Sequence, residues 1–79
     1  MSYRVVYTDM AEAGRASLSP MDRKVFDTRV AAIARDPYGC GSSTVGTSRD
    51  RRDAAIGSIA IIRYEVSPRV VTVTILRVV

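Results

Sequence analysis

The stretch RDRRDAAIGSIAIIRYEVSPRVVTVTILRVV, residues 49–79, predicts three consecutive β-strands and so decides the fold class. β-Branched residues dominate its last two apolar segments, as is typical of strands. Gly57 and Pro68 interrupt the apolar pattern, and both are common turn residues. We predict strands over Arg49–Ile56, Ser58–Val66 and Val70–Val79.

Alternation along the second strand separates an apolar face from a face that carries charge. Because successive side chains of a strand point to opposite faces, residues of the same parity share a face. The apolar face has Ala60, Ile62, Tyr64 and Val66, and the other has Ile59, Ile61, Arg63 and Glu65. We therefore expect Tyr64 in the core and Arg63 with Glu65 on the exposed face. In the third strand, one face is predicted to hold Val71, Val73, Ile75 and Arg77.

Two helices are predicted before this sheet, after an opening strand over Ser2–Thr8. Asp9-Met10-Ala11-Glu12 resembles a capping box with Asp9 as the N-cap, so a short helix is expected to start there. Ser19 and Pro20 suit the start of a second helix, which is expected to end just before Pro37. The buried stripe of this second helix is predicted to be Phe26, Val30, Ile33 and Ala34.

Residues 36–48, DPYGCGSSTVGTS, are predicted to form a loop because their glycines, serines and Pro37 leave no hydrophobic period. Cys40 in this loop has no activating neighbour and is expected to be inert. The predicted fold class is α+β, with the order β-α-α-β-β-β. A helix hairpin is expected on one face of a mostly antiparallel four-stranded sheet. With 79 residues, the chain 1–79 is expected to be a single domain.

The charge of the chain is uneven along its length. Residues 1–48 carry six basic and five acidic side chains, whereas residues 49–79 carry six basic and three acidic ones. Eleven of the 12 basic residues are arginine, whose planar guanidinium suits phosphate binding. A codon bias explains a preference for arginine over lysine, but it does not explain the asymmetry. Histidine is absent, which removes the usual acid–base group near neutral pH and argues against a zinc site.

The cysteine content and the apolar runs indicate where the chain resides. A single cysteine and the lack of an apolar leader favour a cytoplasmic protein. The apolar runs are of strand length, far below the roughly 20 residues that a membrane span requires. We therefore predict no membrane partner. We also predict no metal and no cofactor.

Five segments in a fixed order carry a resemblance to a known family. They are YRVVYT at the start, IARDPYGCG at the end of the second helix, the basic stretch before Gly57, IIRYEV, and VVTVTILRVV. In this order they resemble the RelE/ParE superfamily of bacterial type II toxins, over essentially the whole chain. The resemblance implies the fold predicted above. It also implies neutralisation by a small cognate antitoxin, with either messenger RNA on the ribosome or DNA gyrase as the target.

The resemblance assigns some residues and leaves other family positions unmatched. RNA-cutting members carry basic residues on the strand before the glycine turn, and the matching residues here are Arg49, Arg51 and Arg52. They also carry an arginine three residues before the tyrosine of the next strand, where this chain has Ile61, with Arg63 two residues further on. Many relatives follow the last strand with a histidine or arginine and then a tyrosine, whereas this chain has Arg77 and ends at Val79.

Cleavage of RNA by its own 2′-hydroxyl requires a proton acceptor, a proton donor and cations that offset the phosphorane charge. Arginine suits only the last role because its pKa lies above about 12. We assign transition-state stabilisation to Arg52, Arg63 and Arg77. Proton transfer is assigned to Glu65, with Asp53, Asp50, Tyr38 and Tyr64 as the alternatives. Contacts to the RNA backbone are assigned to Arg49, Arg51, Arg52 and Arg63. The alternative is that these charges form surface salt bridges, with Asp50 and Asp53 on an edge strand and Glu65 beside Arg63.

The leading hypothesis is a ribosome-dependent mRNA endonuclease, or mRNA interferase, that inhibits translation. Its partners would be mRNA, the ribosome and the cognate antitoxin. The alternatives are a ParE-like DNA gyrase inhibitor without hydrolytic activity and a catalytically degenerate toxin. The RNA-binding role requires the guanidinium groups, Arg52, Arg63 and Arg77 among them, to gather on the uncovered face of the sheet.

Overall fold

The computed structural model describes residues 2–39 and 41–78, without the side chain of Arg77. These residues form two helices and five strands: β1 (Arg4–Tyr7), α1 (Asp9–Ala16), α2 (Pro20–Arg35), β2 (Ser43–Val45), β3 (Ser48–Ile56), β4 (Ala60–Ser67) and β5 (Val70–Val78). Both helices contribute to one hydrophobic core against the sheet, so the predicted α+β class is confirmed.

The sheet has five strands in the order β1-β5-β4-β3-β2. β1 runs parallel to β5, and the other neighbouring strands are antiparallel. The prediction of four strands was wrong because β2 lies inside the segment 36–48 that was expected to be a loop. This strand has only three residues, too few to show alternation, and its pairing with β3 shifts register after Thr44.

The predicted core residues are buried. The even-numbered apolar positions of β4 are at most 5% exposed, and the predicted stripe of α2 is buried as well. Tyr64 is 1% exposed, and its hydroxyl donates a hydrogen bond to the carbonyl of Pro37. The parity of β4 therefore predicted both faces of the central strand correctly.

The alternation of β5 is interrupted near its end. Ile62 pairs with Ile75, but Ile61 pairs with Arg77, so Leu76 is an extra residue in β5. The prediction that Arg77 continues the face of Val71, Val73 and Ile75 assumed an unbroken alternation, and the register shift breaks it. Leu76 itself gave no sign of the shift because it is apolar, whereas the arginine that follows a buried face at position 77 was compatible with an interrupted alternation.

The helix starts agree with the sequence at α2 and differ at α1. Ser19 caps α2 by accepting a hydrogen bond from the backbone N–H of Asp22 at 3.2 Å, and Pro20 occupies the first turn. In α1 the N-cap is Thr8, whose Oγ1 accepts from the N–H of Ala11 at 3.2 Å. Asp9, predicted as the cap, lies in the first turn instead, where its charge favours the positive end of the helix dipole.

Two arginines hold the helix hairpin together. Arg15 of α1 makes a two-pronged ion pair with Asp27 of α2, with both N–O distances at 2.7 Å. The hydrogen bond from Arg15 lowers the pKa of the Asp27 carboxyl. Arg23 donates to the carbonyl oxygens of Arg15, Ala16 and Leu18 at 3.4, 3.0 and 3.1 Å. Within the described residues, neither helix has the length and hydrophobicity that a membrane span requires.

We expect Arg23→Ala to lower the free energy of unfolding by about 1–2 kcal/mol, because the carbonyls of Arg15, Ala16 and Leu18, at and just after the end of α1, each lose a hydrogen bond from the guanidinium. Urea unfolding followed by circular dichroism measures the loss. Lys24→Ala serves as the control, because it removes one positive charge from the next residue, which is exposed. Equal unfolding midpoints for the two variants would contradict the capping role of Arg23.

Candidate nucleic-acid interface

The candidate arginines of β3 and β4 lie on two different faces of the sheet. Arg51 pairs with Glu65, and Arg52 pairs with the buried Tyr64. Because neighbouring residues of a strand point to opposite faces, Arg52 lies on the side of the helices and Arg51 on the uncovered side. The predicted gathering of Arg52 with Arg63 on the uncovered face is therefore wrong, and the RNA-binding and catalytic role that depended on it is not supported on that face.

The uncovered face, which we call the open face, carries two ion pairs across β3 and β4. The Nε of Arg51 lies 3.2 Å from Oε2 of Glu65, and Arg63 binds Asp53 through two hydrogen bonds of 2.8 and 3.2 Å. The hydrogen bonds to Asp53 raise the pKa of the Arg63 guanidinium. Two positive and two negative charges sum to zero, so the centre of this face has little attraction for a polyanion.

The proposed proton carrier Glu65 is part of a solvent-exposed ion pair. Its side chain is 58% exposed and that of its partner Arg51 is 61% exposed. Pairs of this kind contribute only about 0–1 kcal/mol. A depression of about 220 Å³ lies beside them, lined by Arg51, Arg63 and Glu65 together with two threonines of β5. This face therefore agrees with the alternative interpretation, in which its charges form surface salt bridges. Glu65 pairs with Arg51 rather than with Arg63.

Tyr38 contacts charged side chains from the start of β3, where the irregular pairing with β2 interrupts the alternation that places Arg51 and Arg52 on opposite faces. We call Tyr38, Arg49, Asp50 and Arg52 the Tyr38 cluster. The guanidinium carbons of Arg49 and Arg52 lie 4.5 and 5.8 Å from the centre of the Tyr38 ring. The Tyr38 hydroxyl donates to Oδ1 of Asp50 at 2.7 Å, and this hydrogen bond raises the pKa of the hydroxyl. Arginine stacked on an aromatic ring keeps its N–H groups available at the ring edge.

The two arginines of the cluster differ in how firmly they are held. Arg52 donates to the hydroxyl of Ser42 at 2.7 Å, to its carbonyl at 3.4 Å, and to the carbonyl of Arg49 at 3.1 Å. Arg49 is exposed, and within residues 2–39 and 41–78 no carboxylate pairs with its guanidinium. Arg52 therefore fixes the cluster to the β2 side of the sheet, and Arg49 is the cation that remains open to a ligand.

Further arginines surround this cluster at one end of the sheet. The N–H of Tyr3 donates to the carbonyl of Ala34 at 2.8 Å, so the start of β1 lies beside the end of α2. The N–H of Arg4 donates to the carbonyl of Arg69 at 2.7 Å, which places the β4–β5 hairpin there too. We call this region the basic end, and its arginines are Arg4, Arg35, Arg49, Arg52 and Arg69.

Most of the charge at the basic end is unpaired. Arg4, Arg35 and Arg69 are exposed, and no ion pair within the described residues involves their side chains. The acidic groups of the same region are Asp36, after α2, Asp50, which binds Tyr38, and Glu65, which pairs with Arg51. The basic end therefore attracts polyanions more strongly than the centre of the open face, where the two ion pairs cancel.

The sequence singled out only part of this surface. Arg49 and Arg52 were assigned to RNA binding, whereas Arg4, Arg35 and Arg69 were given no functional role. The side chain of Arg77, predicted to be catalytic, and Cys40 lie outside the described residues. Among the residues that the structure does describe, no group of three acidic or cysteine side chains is arranged to hold a metal ion.

The sequence matches no protein-family model, and comparisons with curated proteins and with solved structures gave no match. The chemistry of the two surfaces is therefore the basis for a functional assignment. The Tyr38 cluster combines an aromatic ring with cations, which suits phosphates and nucleic-acid bases. The open face offers paired charges and a shallow depression.

Proposed function

We propose that this chain is a RelE/ParE-type toxin that inhibits translation by binding RNA through its basic end. The observation that carries the proposal is the position of Arg49 over the Tyr38 ring, at 4.5 Å from the ring centre, among arginines without carboxylate partners in the described residues. The order of the long elements, a strand, two helices and an antiparallel three-strand unit, supports the resemblance to this family. A cognate antitoxin that neutralises the chain is part of the proposal.

The affinity would come mainly from the phosphate backbone. Each arginine that neutralises a phosphate releases condensed counterions, which makes binding strong at low salt and weak at high salt. Arg49 covers the Tyr38 ring, so a base would stack on the plane of the Arg49 guanidinium that the ring supports. Tyr38 and Arg49 together offer both interactions at one place, so a single-stranded segment of messenger RNA suits this surface.

The arrangement of the arginines and Glu65 supports RNA binding better than RNA cleavage. The proposed catalytic groups Arg63 and Glu65 bind Asp53 and Arg51 on the open face, whereas Arg52 lies on the helix side and Arg49 lies over the Tyr38 ring. General acid–base catalysis requires a proton carrier within hydrogen-bond reach of the reacting atoms. An RNA held at the Tyr38 cluster would lie away from Glu65, so we propose that the message is held rather than cut.

A reconstituted translation reaction tests this proposal. We expect the purified chain to reduce synthesis of a reporter protein while primer extension shows the message intact. Arg49→Ala/Arg52→Ala should lose the inhibition, and Lys24→Ala, which removes one charge from the exposed surface of α2, should keep it. Unchanged protein synthesis would contradict the proposal. New message ends in the presence of ribosomes would replace it with the mRNA endonuclease that the sequence suggested.

One feature of the open face favours a second candidate, the ParE-like gyrase inhibitor. Ile61 and Leu76 are 39% and 47% exposed, and the charges of β3 and β4 that the structure describes on this face are paired. A charge-balanced surface with exposed apolar residues suits a protein partner better than a nucleic acid. Loss of supercoiling activity when purified DNA gyrase is mixed with the chain, together with normal translation, would select this candidate.

A further inference from the structure

The hairpin between β4 and β5 has an unusual backbone. Ser67 pairs with Val70, so Pro68 and Arg69 form a two-residue turn. Such turns usually have a positive φ at the first central residue, which the ring of Pro68 forbids. Arg69 instead has a φ of 65°, and within the described residues it is the one residue other than glycine with a positive φ. Glycine is favoured at this position because a side chain there is strained.

The fold gives no reason for an arginine at this strained position. The side chain is exposed, and it makes no hydrogen bond or ion pair with the described residues. The backbone carbonyl of Arg69 holds the start of β1, because it accepts a hydrogen bond from the N–H of Arg4 at 2.7 Å. Any residue would provide that carbonyl, and glycine would do so without strain. Residues in strained backbone conformations concentrate at functional sites.

The hairpin lies at the basic end. The pairing of β3 with β4 ends at Arg51 and Glu65, so Arg49 lies beyond the last pair, toward the end of the sheet that carries the hairpin. Arg4 lies next to the hairpin through its bond to Arg69. The hairpin joins β4 and β5, which lie between β1 and β3, so Arg69 is at the same end of the sheet as Arg4 and Arg49.

We infer that Arg69 is a further phosphate-binding residue, which extends the RNA surface from the Tyr38 cluster across the end of the sheet to Arg4. This inference rests on the proposed function. Pro68 restricts the turn, so the backbone of Arg69 loses little conformational freedom when its side chain binds a phosphate. The strained turn then has a purpose, because it fixes the backbone from which the Arg69 side chain extends beyond the strand ends.

The test combines stability and RNA binding in one variant, Arg69→Gly, with a labelled single-stranded RNA as the probe. Relief of the strained φ should increase the folding equilibrium constant roughly fivefold in urea titrations. Loss of one phosphate contact should reduce RNA affinity roughly fivefold at about 0.1 M salt and lower the slope of log affinity against log salt by about 0.7. Arg69→Lys keeps the charge and should bind RNA within about twofold of the natural chain. Lys24→Ala, the control for removal of one charge elsewhere, should leave the slope unchanged.

Three results would overturn the inference. An Arg69→Gly variant that binds RNA with the natural affinity and slope would remove Arg69 from the surface, and the proposed function would stand if Arg49→Ala/Arg52→Ala still loses binding. An Arg69→Gly variant that is no more stable than the natural chain would remove the premise of strain. Absence of RNA binding by the natural chain itself would overturn the proposed function first and this inference with it.

Discussion

Arg49→Ala/Arg52→Ala is expected to weaken the binding of single-stranded RNA about 100-fold at moderate salt. Two lost phosphate contacts account for roughly 25-fold of this at about 0.1 M salt, and the lost arginine–tyrosine platform accounts for the rest. The slope of log affinity against log salt should fall by about 1.4, because two fewer counterions are released. Fluorescence anisotropy with a labelled RNA over a series of salt concentrations measures both quantities.

The control for this double variant lies on the same strand. Arg51→Ala removes the same kind of charge from a neighbouring residue, but on the open face, where Glu65 already balances it at 3.2 Å. We expect its RNA affinity to stay within about threefold of the natural value, because the lost charge acts on the RNA only over a long range. A loss as large as that of the double variant would place the RNA on the open face. Urea unfolding of the double variant is needed as well, because Arg52 also binds Ser42 at 2.7 Å.

Much of the fold was predictable because its signals are local. The periods of α2 and β4, the cap at Ser19 and the turn at Pro68 each depend on a few neighbouring residues, and the structure has all of them. β2 was missed because three residues cannot show a period. Leu76 was missed as an extra residue because an apolar side chain gives no sign of a register shift.

The faces of the arginines were predictable only in part. Parity placed Arg63 on the open face correctly, and the same parity, applied to the buried Ala54 and Ile56, would have placed Arg52 on the helix side. That signal was present in the sequence but was overridden by the expectation of one basic face. Charge counting along the chain also overstated the open face, because it does not show that Arg63 faces Asp53 directly across the strands.

The basic end was not predictable from local patterns. Its arginines come from β1, α2, β3 and the β4–β5 hairpin, which are far apart in sequence. They meet because β1 inserts beside β5 in parallel and begins next to the end of α2. No short motif encodes that meeting, so a surface of this kind becomes visible only once the topology is known.

Tyr64→Ala is expected to destabilise the fold by about 3–5 kcal/mol, the largest stability loss of any single change proposed for this chain. Tyr64 is 1% exposed at the centre of the core, so the truncation leaves a cavity between sheet and helices. A domain of this length has a total stability of roughly 4–12 kcal/mol, so a large fraction of the variant should be unfolded in mild urea. Circular dichroism against urea concentration measures the shift of the midpoint.

The Tyr64→Phe variant removes the hydroxyl and keeps the ring, so it measures the contribution of the hydroxyl alone. It also tests whether this core residue positions the Tyr38 cluster. The variant keeps the ring but leaves the carbonyl of Pro37 without its donor, which should cost about 1–3 kcal/mol. Pro37 directly precedes Tyr38, so the loss should also loosen the ring that Arg49 covers and reduce RNA affinity several-fold in fully folded protein. Ile62→Val is the matched control, because it costs about 0.5–1.5 kcal/mol in the same strand without touching Pro37. If both variants bind RNA equally well, the hydroxyl of Tyr64 has no part in positioning Tyr38, and the bond to Pro37 serves stability alone.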